Sequence, residues 1–141
     1  LIYALLFGMP GTPALYYGSE WGISGEKAPC SDAGLRPALE KPEWNALTSW
    51  IARLAAARRG SPALREGSYR NVLLTNLQLI FERRTETERV LVAVNADSQP
   101  YTAHFDAGCG LAWDLISGQQ HDFGGGSQLP PYSAFFWKME R

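Results

Sequence analysis

Three carboxylates stand close together in the first third of the chain: Glu20, Glu26 and Asp32. Paired carboxyl groups are common equipment for general acid–base and nucleophilic chemistry. A working pair needs one acid whose pKa is raised by a dry, rigid wall. It also needs an ionised partner fixed on the opposite side of the substrate. All three carboxylates fall within residues 18–42, a stretch punctuated by Gly18, Gly22, Gly25, Pro29, Gly34, Pro37 and Pro42. One loop supplies neither wall, so no catalytic residue is expected here. Arg36, in the same stretch, could orient a carboxylate or hydroxyl group with its fixed fork of donors. Trp21 could stack its indole on a ring-shaped ligand. Each has a plainer alternative: Glu20 accepting from backbone N–H groups, Arg36 tying the loop down, Trp21 buried.

Other chemistries lack their parts. His104 and His121 have no companion at metal-ligand spacing, and two distant cysteines make neither a zinc site nor a disulfide framework. Cys30 and Cys109 read as free thiols, which favours a reducing compartment such as the cytoplasm. Gly124-Gly125-Gly126 lacks the lysine and the strand-to-helix context of a phosphate loop. No metal and no cofactor is therefore expected. Lys and Arg number 13 against 14 Asp and Glu, a net charge of −1. That balance offers no field for nucleic acid or an anionic membrane.

The elements that must position these residues are legible in outline. Of the 141 residues, 45% are apolar and 19% charged, the balance of a chain that buries a core. Residues 1–7 are almost wholly apolar, too short to span a bilayer, and lack the basic start of a signal peptide. They read as a chain entered midway through a buried element, ended by the breakers of residues 9–13. Ala14, Leu15, Tyr16 and Tyr17 read as a short buried strand, with the two tyrosines pointing to opposite faces. Leu47, Trp50, Ile51, Leu54 and Ala55 fall on one face of a helix over residues 43–59, with Pro42 in its first turn. Arg58 and Arg59 suit its last turn, Gly60 a left-handed cap and Pro62 the stop.

After Pro62 the pattern changes to short strands. They are expected at Ser68–Leu74, 77–84, Arg89–Asn95, 101–105, 111–116 and 134–139, with a further short one at 121–123. Strands at this spacing predict an antiparallel sandwich or barrel. Alternation sends Phe135 and Trp137 to one face and Phe136 to the other. Trp113 and these aromatics form sheet core, or a sugar platform if one face is bare.

Residues 9–22, Met-Pro-Gly-Thr-Pro-Ala-Leu-Tyr-Tyr-Gly-Ser-Glu-Trp-Gly, resemble the last barrel strand and following loop of glycoside hydrolase family 13, the α-amylase family. Gly11, Pro13, Leu15, Tyr16, Tyr17, Gly18, Glu20 and Gly22 fall in register with its G-x-P-x-[IL]-Y-Y-G-x-E-x-G pattern. Leu35-Arg36-Pro37-Ala38-Leu39 stands at the family's R-x-P segment. Residues 53–67 resemble the final barrel helix, residues 90–95 a strand of the C-terminal β domain, and residues 129–134 the entry to its last strand.

The resemblance implies a fold that is mainly β: an antiparallel β-sandwich of the amylase domain C type, over residues 63–141. The last βα unit of a (β/α)8 barrel, residues 1–62, would precede it. It implies a retaining enzyme acting on an α-glucan or maltooligosaccharide, which needs two carboxyl groups roughly 5–5.5 Å apart. The family's Asp nucleophile, Glu acid/base and second Asp follow strands four, five and seven, so none maps onto this sequence. Glu20, Trp21 and Arg36 map to the substrate rim. The alternative function is a non-catalytic carbohydrate-binding or interaction module. Barrel strand and helix, cut from neighbouring units, would expose Leu47, Trp50, Ile51 and Leu54 and drive self-association.

Overall fold

A computed structural model describes residues 1–39, 41–108 and 110–139. The expected free thiol Cys109 lies outside them, whereas Cys30 is free and exposed. The apolar start forms helix α1, Ile2–Gly8, ended at Met9 by extended backbone as the breakers require. A long loop follows, then helix α2, Ala46–Gly60, and the short helix α3, Pro62–Glu66. Eight strands among the described residues complete the chain. They are β1 (Ser68–Leu74), β2 (Gln78–Arg84), β3 (Arg89–Asn95), β4 (Tyr101–Ala103), β5 (Leu111–Asp114), β6 (Gln120–Asp122), β7 (Ser127–Leu129) and β8 (Ser133–Met139).

Six strands form one antiparallel sheet in the order β1-β2-β3-β8-β5-β6, and β4 pairs with β7 in a second, two-stranded sheet. The large sheet is covered on both faces. Phe81, Val90, Val92, Val94 and Phe136 pack against Ala4, Phe7, Ile51, Leu54 and Leu64 of the helices. Their strand neighbours Ile80, Leu91, Ala93 and Trp137 turn the other way, onto Ala103 and Leu129 of the small sheet. Phe135 joins Trp137 on that side, their rings stacked at 5.3 Å, so the aromatic alternation of β8 serves core. Central strands apolar on both faces follow from this double cover.

Four sequence expectations are corrected. Residues 14–17 form no strand, because no other segment pairs with them among the described residues. Leu15, Tyr16 and Tyr17 are exposed instead, and the two tyrosine rings lie together at 4.8 Å rather than on opposite faces. Helix α2 starts later than expected, because Asn45 takes the cap. Its side chain accepts from the Thr48 N–H at 3.0 Å, and the Thr48 hydroxyl faces the Asn45 N–H in return. Gly60 stays helical and Ser61 ends the helix in an extended conformation. Ser61 also caps α3 through its hydroxyl, with Pro62 at the first helical position. Ile51 and Leu54 are buried, since α1 and the large sheet supply the cover that neighbouring units were expected to give. The strand β7 went unread because Ser-Gln-Leu carries too few residues for a period.

Two arginines are buried where the helical layer meets the sheet. Arg58 donates to the carbonyls of Phe7 (2.7 Å), Met9 (2.9 Å) and Gly11. Arg83 donates to the carbonyls of Gly8 and Gly67, both at 2.8 Å. These carbonyls include the open C-terminal end of α1, where the backbone dipole favours a cation. Gly8 has no room for a side chain: an added Cβ would lie 3.0 Å from Phe81 Cζ and Val92 Cγ1. Burial pushes both guanidinium pKa values down, and for Arg83 the charge of Arg58 adds to the effect.

Two carboxylates fasten the sheet's other connections. Glu82 accepts from Arg70 at 3.3 Å and from Arg89. Glu88 accepts from Ser61 Oγ (2.6 Å), the Ala63 N–H (2.8 Å) and Lys138 Nζ (2.7 Å). Burial alone would raise both carboxyl pKa values, but these donors outweigh it and hold both below the ordinary 4.5. His121 stacks on Trp137 at 4.2 Å and shares a 2.9 Å hydrogen bond with Ser127. Burial lowers its pKa below 6.5, against the opposing pull of Asp122 and Asp114.

Replacing Arg83 by Leu leaves buried carbonyls without donors, and stability should fall by about 3 kcal/mol. Urea unfolding checks this; an unchanged midpoint would refute the assigned role. Stability should also decline in two stages on acidification. A histidine with a lowered folded pKa stabilises fully above its unfolded value, and that is lost as pH falls below about 6.5. The depressed carboxylates follow the same sign, their contribution lost as pH falls below about 4.3 through their folded values. Thermal midpoints followed from pH 7.5 to 3 should show both stages, and Glu88→Gln should shrink the second.

Candidate functional site

The long loop is organised by the start of α2. A 3-10 turn at Ser19–Trp21 carries two of the predicted site residues. The Thr48 hydroxyl donates to the Glu20 carbonyl at 2.9 Å, and Asn45 Nδ2 donates to the Trp21 carbonyl at 2.9 Å. The residues that cap the helix therefore also hold the turn. From the other side, the Tyr3 hydroxyl donates to the Ser19 carbonyl at 3.0 Å. An asparagine just before an apolar period is a cap signal, and that signal marked Asn45 and Thr48, which sequence reasoning missed.

Within this frame Glu20 is half-buried, and its Oε2 is buried with no hydrogen-bond partner among the described residues. Buried polar atoms are nearly always paired, so an orphaned carboxylate oxygen is an unfilled acceptor. Trp21 is half-buried beside it. Arg36 ends a second 3-10 turn, Ala33–Leu35, and is exposed. Its charge is felt by the hydroxyl of Tyr17, whose pKa is raised chiefly by desolvation and by Tyr16 and lowered in part by Arg36. The structure thus places Glu20 with Trp21 at the mouth of α2, and Arg36 with the tyrosine pair. Among the described residues no ion pair joins the two groups.

The loop between them doubles back on itself. A Cβ on Gly25 would fall 2.1 Å from the Gly34 carbonyl oxygen, so the two limbs cross at backbone contact. Ala28 and Ser31 exchange hydrogen bonds at the tip. Glu26 and Asp32 are exposed, and the Asp32 carboxylate lies 3.8 Å from Lys27 Nζ. Exposed loop carboxylates of this kind have no dry wall around them. Among the described residues no group of three or more His, Cys, Asp or Glu side chains could hold a metal ion. No described helix is long and apolar enough to cross a membrane.

A six-stranded antiparallel sheet, with a small sheet on one face and a helical layer on the other, defines a β domain of the amylase domain C type. Comparison with known proteins agrees, although no protein-family model matches the sequence. A cyclomaltodextrin glucanotransferase of Bacillus sp. (strain 38-2) is 30% identical over 119 residues, which is 82% of this chain and 15% of that protein. Alpha-amylase MalA of Haloarcula japonica is 32% identical over 127 residues, 81% of this chain and 17% of its own. The crystal structure of CldA, a cyclomaltodextrin glucanotransferase with a three-domain ABC distribution, superposes with a TM-score of 0.82 at 25% identity. It covers 98% of this chain and 31% of CldA. These matches identify the chain as a C-terminal segment of an α-amylase-family protein, spanning 15–17% of the length of those two curated relatives.

Thr48→Val removes both the cap partner and the donor to the Glu20 carbonyl. It should cost about 1 kcal/mol and speed amide exchange across residues 19–22. Unchanged exchange there would mean that α2 does not hold the turn.

Proposed function

We propose that this chain closes and stabilises the barrel of a retaining α-glucan hydrolase or transglycosidase without contributing its reacting carboxylates. Residues 1–62 would form the end of the barrel and residues 63–141 the supporting β domain. Glu20, Trp21 and Arg36 would line the substrate rim, with an α-glucan or maltooligosaccharide as ligand. The relatives' names support the substrate class: cyclomaltodextrin glucanotransferases and an α-amylase.

The observation that carries the reading is the set of exposed apolar and aromatic side chains Leu15, Tyr16, Tyr17 and Ile23 in the loop before α2. An exposed apolar surface of this kind calls for a partner surface. The rest of a barrel would supply one. The carboxylates of the loop do not fit the reacting pair, since Glu26 and Asp32 are exposed.

Expressed alone, the chain should release no reducing sugar from maltoheptaose. Co-expressed with the remaining barrel of a relative, it should restore turnover, and Glu20→Gln or Arg36→Ala should then lower kcat/KM by about tenfold. Sugar release by the isolated chain would overturn the reading. The same exposed surface should drive self-association at tens of micromolar, relieved by replacing Tyr16 and Tyr17 with Ser. A clean monomer in sedimentation velocity would count against it.

A further inference from the structure

Three arginines stand around one carboxylate on the face of the large sheet that carries the small sheet. Arg70 and Glu82 are register partners on β1 and β2, and Arg84 and Arg89 are register partners on β2 and β3. Side chains directly opposite each other, or two apart on one strand, point to the same face. All four therefore stand together. Ile80 and Leu91, which share that face, are buried in the core beneath the small sheet.

Glu82 does not serve all three. It is buried, and Arg70 meets it with Nε and Nη2, each at 3.3 Å. Arg89 meets it with Nε and sends Nη1 to the Ala107 carbonyl. A guanidinium carries five N–H donors, so Arg89 keeps donors to spare. Arg84 is exposed, and no carboxylate lies within ion-pair distance of it among the described residues. Like charges directly opposite each other weaken a sheet, and Arg84 faces Arg89 in this way.

The same two arginines line a groove of about 500 Å³ with Glu86, Glu88, Gly108 and Lys138. Glu88 is committed to Lys138, Ser61 and the Ala63 N–H, and Glu86 is exposed on the turn. Three cations against two carboxylates leave the lining positive. Gly108 keeps the approach to Arg89 open, since an added Cβ would lie 3.2 Å from Arg89 Nη1. An oxyanion fits this lining, because planar guanidinium forks match carboxylate and phosphate oxygens. One fork fills the two oxygens of a carboxylate. A phosphoryl group has three, enough to take the fork of Arg84 and a donor of Arg89 together. The groove is much larger than a phosphoryl group, which leaves room for the organic part of an ester.

We propose that Arg84 and Arg89 form a phosphoryl-binding site at this end of the β domain, and that its ligand is a small phosphate monoester. The site shares no residue with the function proposed above, so its failure would leave that reading standing.

The test is a titration of the isotope-labelled 141-residue chain, followed by the amide resonances, with glycerol phosphate, inorganic phosphate and acetate at constant ionic strength. Glycerol phosphate should shift the amides of Arg84, Arg89 and Gly108, inorganic phosphate should do so more weakly, and acetate should leave them in place. Arg84→Gln should weaken binding about tenfold. Glu86→Gln should tighten it about threefold by removing a competing charge. Lys27→Gln, an exposed cation lost from the distant loop, should change nothing. Circular dichroism melts confirm that each variant is folded. No shift at millimolar phosphate or phosphate ester would overturn the site, as would equal binding by Arg84→Gln and the parent chain. Shifts by acetate as large as those by phosphate would overturn the phosphoryl preference, and binding of inorganic phosphate without the ester would overturn the monoester.

Discussion

Two guanidinium groups sit where the helical layer meets the sheet, and no carboxylate reaches either of them among the described residues. Arg58 and Arg83 instead collect the carbonyls of Phe7, Gly8, Met9, Gly11 and Gly67. An isolated buried charge would be prohibitively costly, so the chain must keep those carbonyls converged. That requirement fixes the end of α1, the exit of the breaker segment and the step from α3 into β1 in a single arrangement. One arginine comes from a helix and the other from a strand, so the same contact ties the two layers together.

The loop then hangs from a second economy. Asn45 and Thr48 are needed to start α2, because the first N–H groups of a helix have no partner of their own. Their remaining hydrogen-bonding capacity goes to the carbonyls of Glu20 and Trp21. A local helix signal thus orients a turn more than twenty residues away in sequence. One oxygen of the Glu20 side chain is left buried without a hydrogen-bond partner among the described residues.

What could be read in the sequence follows from how local its causes are. β1 and β3 match their expected limits, Ser68–Leu74 and Arg89–Asn95, because breakers and turn residues bound them on both sides. The sandwich was legible for the same reason. The tyrosine segment was misread as a strand because a strand is a property of two segments, and its apolar pattern says nothing about whether a partner is present. Arg58 looked like an ordinary basic residue in a last helical turn, and nothing local says that it is buried. Arg83 left a trace, since it breaks the alternation of β2 at an inward position. Glu20, Trp21 and Arg36 were findable as residue types in a loop; their separation into two groups was not, because it depends on the crossing at Gly25 and Gly34.

The central strands have a consequence for how the molecule comes apart. Val90, Val92 and Val94 belong to the core beneath the helices, while Leu91 and Ala93 on the same strand belong to the core beneath the small sheet. Phe136 and Trp137 divide in the same way on β8. Neither core can loosen without moving a strand that the other also grips. The two cores therefore melt as one cooperative unit, and heat or denaturant meets a single transition rather than a stepwise peeling of layers.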